Sequence, residues 1–100
     1  TGDQVRFASR EDSLNIQIDI PGCKKEDLDI KVDSDERVVY IEGKRTVKTN
    51  DSEEVQTMNR SFSIGREYDL KKIKFTYEYG VLEVNVPRRK KEEYIRKITL

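Results

Sequence analysis

Large aliphatic residues occupy every second position in three segments, which run from Leu14 to Ile20, from Leu28 to Val32 and from Leu82 to Val86. Polar residues fill the positions between them. A period of two places successive side chains on opposite faces of a strand, so each segment is predicted to form a strand with one buried and one solvated face. Pro21 follows the first segment and Pro87 the last, where the missing amide donor ends a ladder.

The rest of the chain contains candidate strands that are shorter or less regular. Residues 38–41 are β-branched or aromatic, and this strand is predicted to close near Gly43. Tyr79 and Gly80 are predicted to form a turn between two such segments. The other predicted strands cover residues 5–7, 73–77 and, on either side of a polar turn at 49–52, residues 43–48 and 54–64.

These segments together predict the fold class. About seven strands and no helix are expected, and the connections between neighbouring strands are only a few residues long. Short connections favour antiparallel pairing, because parallel strands need long crossovers. A chain of 100 residues suits one domain with a modest core. The prediction is therefore an all-β, immunoglobulin-like antiparallel sandwich.

The C-terminal residues do not fit such a sandwich. Pro87 is followed by six charged residues, Arg88 to Glu93, which are too polar to bury. The chain then ends on Ile98-Thr99-Leu100, two large aliphatic residues without a local core. We therefore expect a domain at residues 1–87 and an extension at residues 88–100. The terminal pair is either a short strand that docks elsewhere or simply a frayed end.

Charge and side-chain types exclude several functions. Lys and Arg together number 20, as do Asp and Glu, so no net field favours nucleic acid or an anionic membrane as a partner. The chain has no His, which is the commonest metal ligand and general base, and its paired carboxylates lie in predicted exposed turns. No catalytic residue, metal site or cofactor is therefore expected. Its one cysteine, Cys23, predicts a cytosolic protein without disulfides. Because the chain begins at Thr1 rather than Met, an upstream region with any targeting signal is expected to be missing.

Four segments resemble motifs of the small heat-shock proteins. Residues 19–28 read D-I-P-G-C-K-K-E-D-L and resemble the family element D-x-P-G-x-x-K-E-D-I/L. Residues 73–82 resemble I-x-A-x-Y-x-x-G-V-L, residues 60–64 resemble R-x-F-x-L, and residues 98–100 resemble the terminal I-x-I/V motif. The four segments are spread over nearly the whole chain. The resemblance implies an α-crystallin domain with a C-terminal extension.

The resemblance also implies a dimer. Only 16 residues separate Gly43 from Arg60, which is too short for the long exchange loop of some family members. The length resembles the animal type, in which two strands fuse into one long edge strand that pairs antiparallel with its copy. The expected interface residues are Val55, Thr57, Met58 and Arg60.

Arg60 has two possible roles. It shares a predicted strand face with Met58 and Phe62, so its guanidinium lies among apolar side chains and needs a partner. It either pairs with an acid across the dimer interface, or covers apolar surface with its stem while its head stays in water. The candidate acids on the other chain are Asp51, Glu53 and Glu54, and the sequence does not choose among them.

The terminal motif implies a receptor groove at one edge of the sandwich. Ile98 and Leu100 are the expected docking residues, and the groove is expected to receive either this motif or a client protein. Its expected lining residues alternate along two predicted strands: Leu28, Ile30 and Val32 on one, and Ile73, Phe75 and Tyr77 on the other.

The implied function is that of an ATP-independent holdase chaperone in the stress response. Such a protein binds partly unfolded client proteins, prevents their aggregation and assembles through homodimers into higher oligomers, without being an enzyme. The alternative is a monomeric co-chaperone or adaptor of the CS type, which is built on a similar sandwich. Arg60 and the terminal motif favour the holdase, and particle size would distinguish the two.

Overall fold

The computed structural model describes residues 4–100, so the expected domain 1–87 begins outside the described residues. The strands form two antiparallel sheets. One sheet has the strand order β1-β2-β7-β6 and the other the order β3-β4-β5. All neighbouring strands pair antiparallel, so the predicted all-β sandwich is confirmed. The strands are β1 (Val5–Ser9), β2 (Ser13–Asp19), β3 (Leu28–Asp33), β4 (Val38–Lys48), β5 (Glu53–Ser63), β6 (Lys74–Glu78) and β7 (Val81–Pro87).

The alternating aliphatic residues form the core between the two sheets. Ile16 and Ile18 of β2 are fully buried, as are Val39 and Ile41 of β4. Each such side chain contributes about 1.5–3 kcal/mol through the hydrophobic effect. None of the described buried residues is polar or charged. The core therefore fixes which face of each strand points inward.

Gly43 lies inside β4, so the prediction that a strand closes there is wrong. Residues 38–41 and 43–48 form one continuous strand. A Cβ atom at Gly43 would lie 3.2 Å from the Ile20 side chain and 3.4 Å from the sulfur of Cys23. Glycine suits this position because side chains of other elements pack closely against the strand, and the backbone does not turn there.

The Tyr79-Gly80 turn is confirmed. Both residues have positive φ angles, 52° and 77°, as a two-residue turn with the twist of the flanking strands requires. Arg37 also has a positive φ, 58°. Its guanidinium donates hydrogen bonds to the carbonyl oxygens of Ile64 and Tyr68, at 3.0 and 2.6 Å, and so ties the turn before β4 to the loop after β5.

The extension begins with contacts that the sequence did not predict. Arg88 forms an isolated β-bridge with Tyr68, and a one-turn helix, α1 (Lys91–Tyr94), follows. The division into residues 1–87 and 88–100 stays a prediction, although domain contacts continue through Arg89. Within residues 4–100, no helix has the length and hydrophobicity needed to cross a bilayer.

Candidate functional site

The strand β5 is an edge of its sheet. Two backbone hydrogen bonds show which of its residues bond to β4 and which face away. The Thr49 amide donates to the Ser52 carbonyl at 2.8 Å, and the Ile64 amide donates to the Arg37 carbonyl at 2.9 Å. Bonded and non-bonded pairs alternate in an antiparallel ladder, so the even-numbered residues of β5 bond to β4. The backbone groups of its odd-numbered residues therefore face away from the sheet, along a free edge.

The expected dimer residues all lie on β5, but on two faces. Met58 lies opposite Gly43 and Arg60 lies opposite the buried Ile41, so both side chains are on the inner face. Val55 and Thr57 lie on the outer face, where Val55 is 64% exposed. The structure thus places the four residues on one unpaired edge, and their role in a dimer stays a prediction.

Arg60 has no acidic partner among the described residues. Its guanidinium donates a hydrogen bond to the carbonyl oxygen of Asn59 at 3.0 Å, and no described carboxylate lies within 4.0 Å of it. Because the Asn59 carbonyl belongs to the free edge, the positive charge lies beside the place where another strand would add. The side chain is half-buried, so an acid brought to this place would bind it in a partly desolvated setting.

A groove opens at the opposite side of the sandwich, between the edges β3 and β6. Leu28 and Ile30 form one wall and Phe75 and Tyr77 the other, with Leu82 between them. The groove has a volume of about 390 Å³. Four of the six predicted lining residues therefore meet around one cavity.

Val32 and Ile73, the other two predicted residues, are placed differently. Neither lines the cavity, and both pack half-buried against the core. Ile73 precedes β6 and ends a short 3₁₀ turn, Leu70–Lys72. Their direct role in binding stays a prediction.

Both walls of the groove also present unpaired backbone groups. Even-numbered residues of β4 face β3, so Leu28 and Ile30 direct their amides and carbonyls away from the sheet. Counted from the two-residue turn at Tyr79, the same alternation leaves the backbone of Phe75 and Tyr77 free on β6. The groove thus combines apolar walls with hydrogen-bonding edges, which is the combination that recognises an extended peptide.

Tyr77 is held in the groove wall by its hydroxyl group. The oxygen lies 2.9 Å from the carbonyl oxygen of Ile20 and 2.5 Å from that of Cys23, and it donates to them. Burial raises the pKa of Tyr77, and burial likewise raises the pKa of the Cys23 thiol. At neutral pH both groups stay protonated, so Tyr77 positions the wall and Cys23 behaves as a small buried residue.

Arg89, which the sequence did not single out, fixes the start of the extension. Its guanidinium donates to the carbonyl oxygens of Arg66, at 3.0 Å, and Glu93, at 2.6 Å, and it lies 5.4 Å from the centre of the Tyr94 ring. One side chain thus joins the loop after β5 to α1. The last residues extend away, since Ile98 is 62% exposed and Leu100 is fully exposed.

The sequence matches known proteins over nearly all of its length. The model of the Hsp20/alpha crystallin family matches residues 6–100. The chain is 34% identical over 89 residues to the 23.6 kDa mitochondrial heat shock protein of Arabidopsis thaliana, with 84% of this chain and 41% of that protein covered. It is 31% identical over 85 residues to the 15.4 kDa class V heat shock protein of the same plant, with 85% and 63% covered. The chain thus spans less than two thirds of either relative.

Solved structures show the same fold. A small heat-shock protein from Xylella fastidiosa superposes with a TM-score of 0.78 at 18% identity, covering 100% of this chain and 96% of that one. Stress-induced protein 1 from Caenorhabditis elegans superposes with a TM-score of 0.73 at 20% identity, covering 95% and 97%. The match to the family model over residues 6–100 and the relatives that are more than 30% identical show that the chain belongs to the Hsp20/alpha crystallin family.

Proposed function

We propose that the chain is the core of an ATP-independent holdase chaperone, which binds partly unfolded proteins and prevents their aggregation. The observation that carries this proposal is the groove between β3 and β6, where apolar walls and unpaired backbone groups lie side by side. Partly unfolded proteins expose apolar side chains and unpaired strands, which are the groups that such a groove accepts. Binding of this kind is passive and needs no nucleotide.

The terminal motif is the proposed internal occupant of the same groove. Burial of Ile98 and Leu100 contributes about 1.5–3 kcal/mol each before the cost of ordering, so a single docked tail is weakly bound. Because α1 is fixed to the domain, only residues 95–97 link it to the motif, and they span about 10 Å when extended. Docking on a neighbouring subunit would link dimers into oligomers and cover the client site at the same time.

The proposed dimer uses the free edge of β5. Two copies can extend the three-stranded sheet across a two-fold axis, and this would pair the outward backbone groups of both edges. Family membership favours this holdase over the CS-type adaptor. The cytosolic location stays a prediction, since the Arabidopsis relative that is 34% identical is named as mitochondrial.

An aggregation assay tests the proposal. Light scattering of a heat-denatured or reduced client protein should rise more slowly with the chain present and no nucleotide added. The variant Ile98→Ala/Leu100→Ala should suppress scattering more strongly per subunit, because the groove is left open. Ile95→Ala is the matched control, since Ile95 is an exposed aliphatic residue outside the motif. If neither the chain nor the double variant slows aggregation at several-fold molar excess, the holdase function is wrong.

A further inference from the structure

The free edge of β5 carries two opposite charges on one face, and this gives it a preferred way to pair with its own copy. Glu54 and Arg60 are both even-numbered, so both side chains lie on the inner face of the strand. Neither forms an ion pair within residues 4–100. Their opposite neighbours on β4 are Val47 and Ile41, which offer no charge. Glu54 is exposed and Arg60 is half-buried, so a partner for either charge in a dimer would come from the second copy.

Symmetry restricts the possible registers. In a two-fold antiparallel pair, the two residue numbers of every facing pair add up to the same value. The residue whose number is half that value faces its own copy. The odd-numbered residues of β5 carry the free backbone groups, so they must face one another and the sum must be even. The two-fold axis therefore passes through one residue of β5, and the choices that pair most of the strand are Thr57, Met58 and Asn59.

The charges decide among these registers. With the axis at Thr57, residues 53–61 of both copies pair, and Arg60 lies directly opposite Glu54 of the partner subunit on the same face. This contact occurs twice. With the axis at Met58, Arg60 faces Gln56 and Glu54 faces Phe62. With the axis at Asn59, Arg60 faces Met58. In both cases Arg60 has no acid directly opposite, so these registers lack the attraction that opposite charges give when they face each other across two strands.

We propose that this chain dimerises with Thr57 on the two-fold axis and with each Arg60 paired to Glu54 of the partner subunit. The proposal rests on the dimer in the proposed function and adds the register and the ion pair. The same register places Val55 opposite the partner's Asn59 on the outer face and so covers an exposed valine. It also places Thr57 opposite its own copy, a favourable cross-strand pair.

Cysteine cross-linking reads the register directly. Single cysteines are placed at residues 56, 57, 58, 59 and 60 of the full chain in a Cys23→Ala background, and the dimers are oxidised. Thr57→Cys should form the disulfide fastest, because facing residues in a bonded pair have Cα atoms about 5.5 Å apart, within disulfide range. A mixture of Val55→Cys and Asn59→Cys chains should cross-link to each other more than to themselves. A maximum at another position overturns the register, and a monomer without cross-links overturns the proposed dimer as well.

Charge exchange tests the ion pair separately. Glu54→Arg and Arg60→Glu should each raise the dissociation constant of the dimer by about tenfold or more, because two attractions become two repulsions. The double variant should recover to within about threefold of the original value. Glu53→Arg is the matched control, since Glu53 lies on the outer face and would face Ser61. If the double variant raises the dissociation constant by as much as the two single variants combined, the pairing of Arg60 with Glu54 is wrong.

Discussion

At the scale of single residues, Arg6 joins the edge strand β1 to its neighbour. Its guanidinium donates two hydrogen bonds to the Asp19 carboxylate, at 2.8 and 2.7 Å, and a third to the Gln17 side chain at 3.1 Å. The hydrogen bonds from Arg6 lower the pKa of Asp19 below its ordinary value of 3.8, against a smaller opposing effect of desolvation. The pair is exposed, so its contribution to stability is small.

This pair predicts a pH-dependent effect of Arg6→Gln. The pKa of Asp19 is lower in the folded state, so the stabilisation is fully present above the ordinary carboxyl pKa and is lost as the pH falls through the lowered value. At pH 7 the substitution should lower the melting temperature by about a degree or two, and near pH 2 by much less. Arg10→Gln, in which an exposed arginine of the same charge is replaced, should show no such difference. Calorimetry at both pH values checks this, and equal losses at both would contradict it.

At the scale of elements, the side chain of Arg89 connects α1 to the sandwich. The Arg89 guanidinium contacts the loop after β5, the Glu93 carbonyl of α1 and the Tyr94 ring. Within residues 4–100, the Arg88 guanidinium lies over the Tyr68 ring and makes no side-chain hydrogen bond. A four-residue helix cannot persist in isolation, because nucleation is costly. The guanidinium of Arg89, together with the backbone hydrogen bond from the Arg89 amide to the Glu67 carbonyl, therefore holds it in place.

Arg89→Ala should release α1 while leaving the sandwich intact. The backbone order parameters of Tyr94 and Ile95, measured by ¹⁵N relaxation, should fall from about 0.85 to below about 0.6. Arg88→Ala removes a neighbouring charge of the same kind and should leave them nearly unchanged. Equal values in the two variants would mean that Arg89 does not hold the helix.

The strands could be predicted from the sequence, whereas the contacts between elements could not. The alternation from Leu82 to Val86 is local, and the structure confirms it as β7. Gly43 resembled a strand end, but its role depends on Ile20, which is distant in the sequence. Arg37 and Arg89 bind carbonyl oxygens of distant loops, and every residue has a carbonyl, so no residue type signalled these contacts.

At the scale of the whole molecule, the two candidate surfaces lie on opposite sides of the sandwich. Phe7 of β1 contacts Phe62 of β5 with ring centres 5.6 Å apart, so these two edges lie together. The edges β3 and β6 border the groove on the other side. Self-association through β5 therefore leaves the groove accessible, and a dimer of this kind would present two grooves for tails or clients.

The most direct test of the account is whether the groove binds the terminal motif. A ¹⁵N-labelled Ile98→Ala/Leu100→Ala chain is titrated with a short peptide that ends in Ile-Thr-Leu, and amide shifts are followed by NMR. A peptide that ends in Ala-Thr-Ala is the control. We predict saturable, weak binding of the first peptide alone, with shifts in residues 28–32 and 73–77 and little change in β5. Shifts confined to β5, or none in the groove at millimolar peptide, would contradict the account.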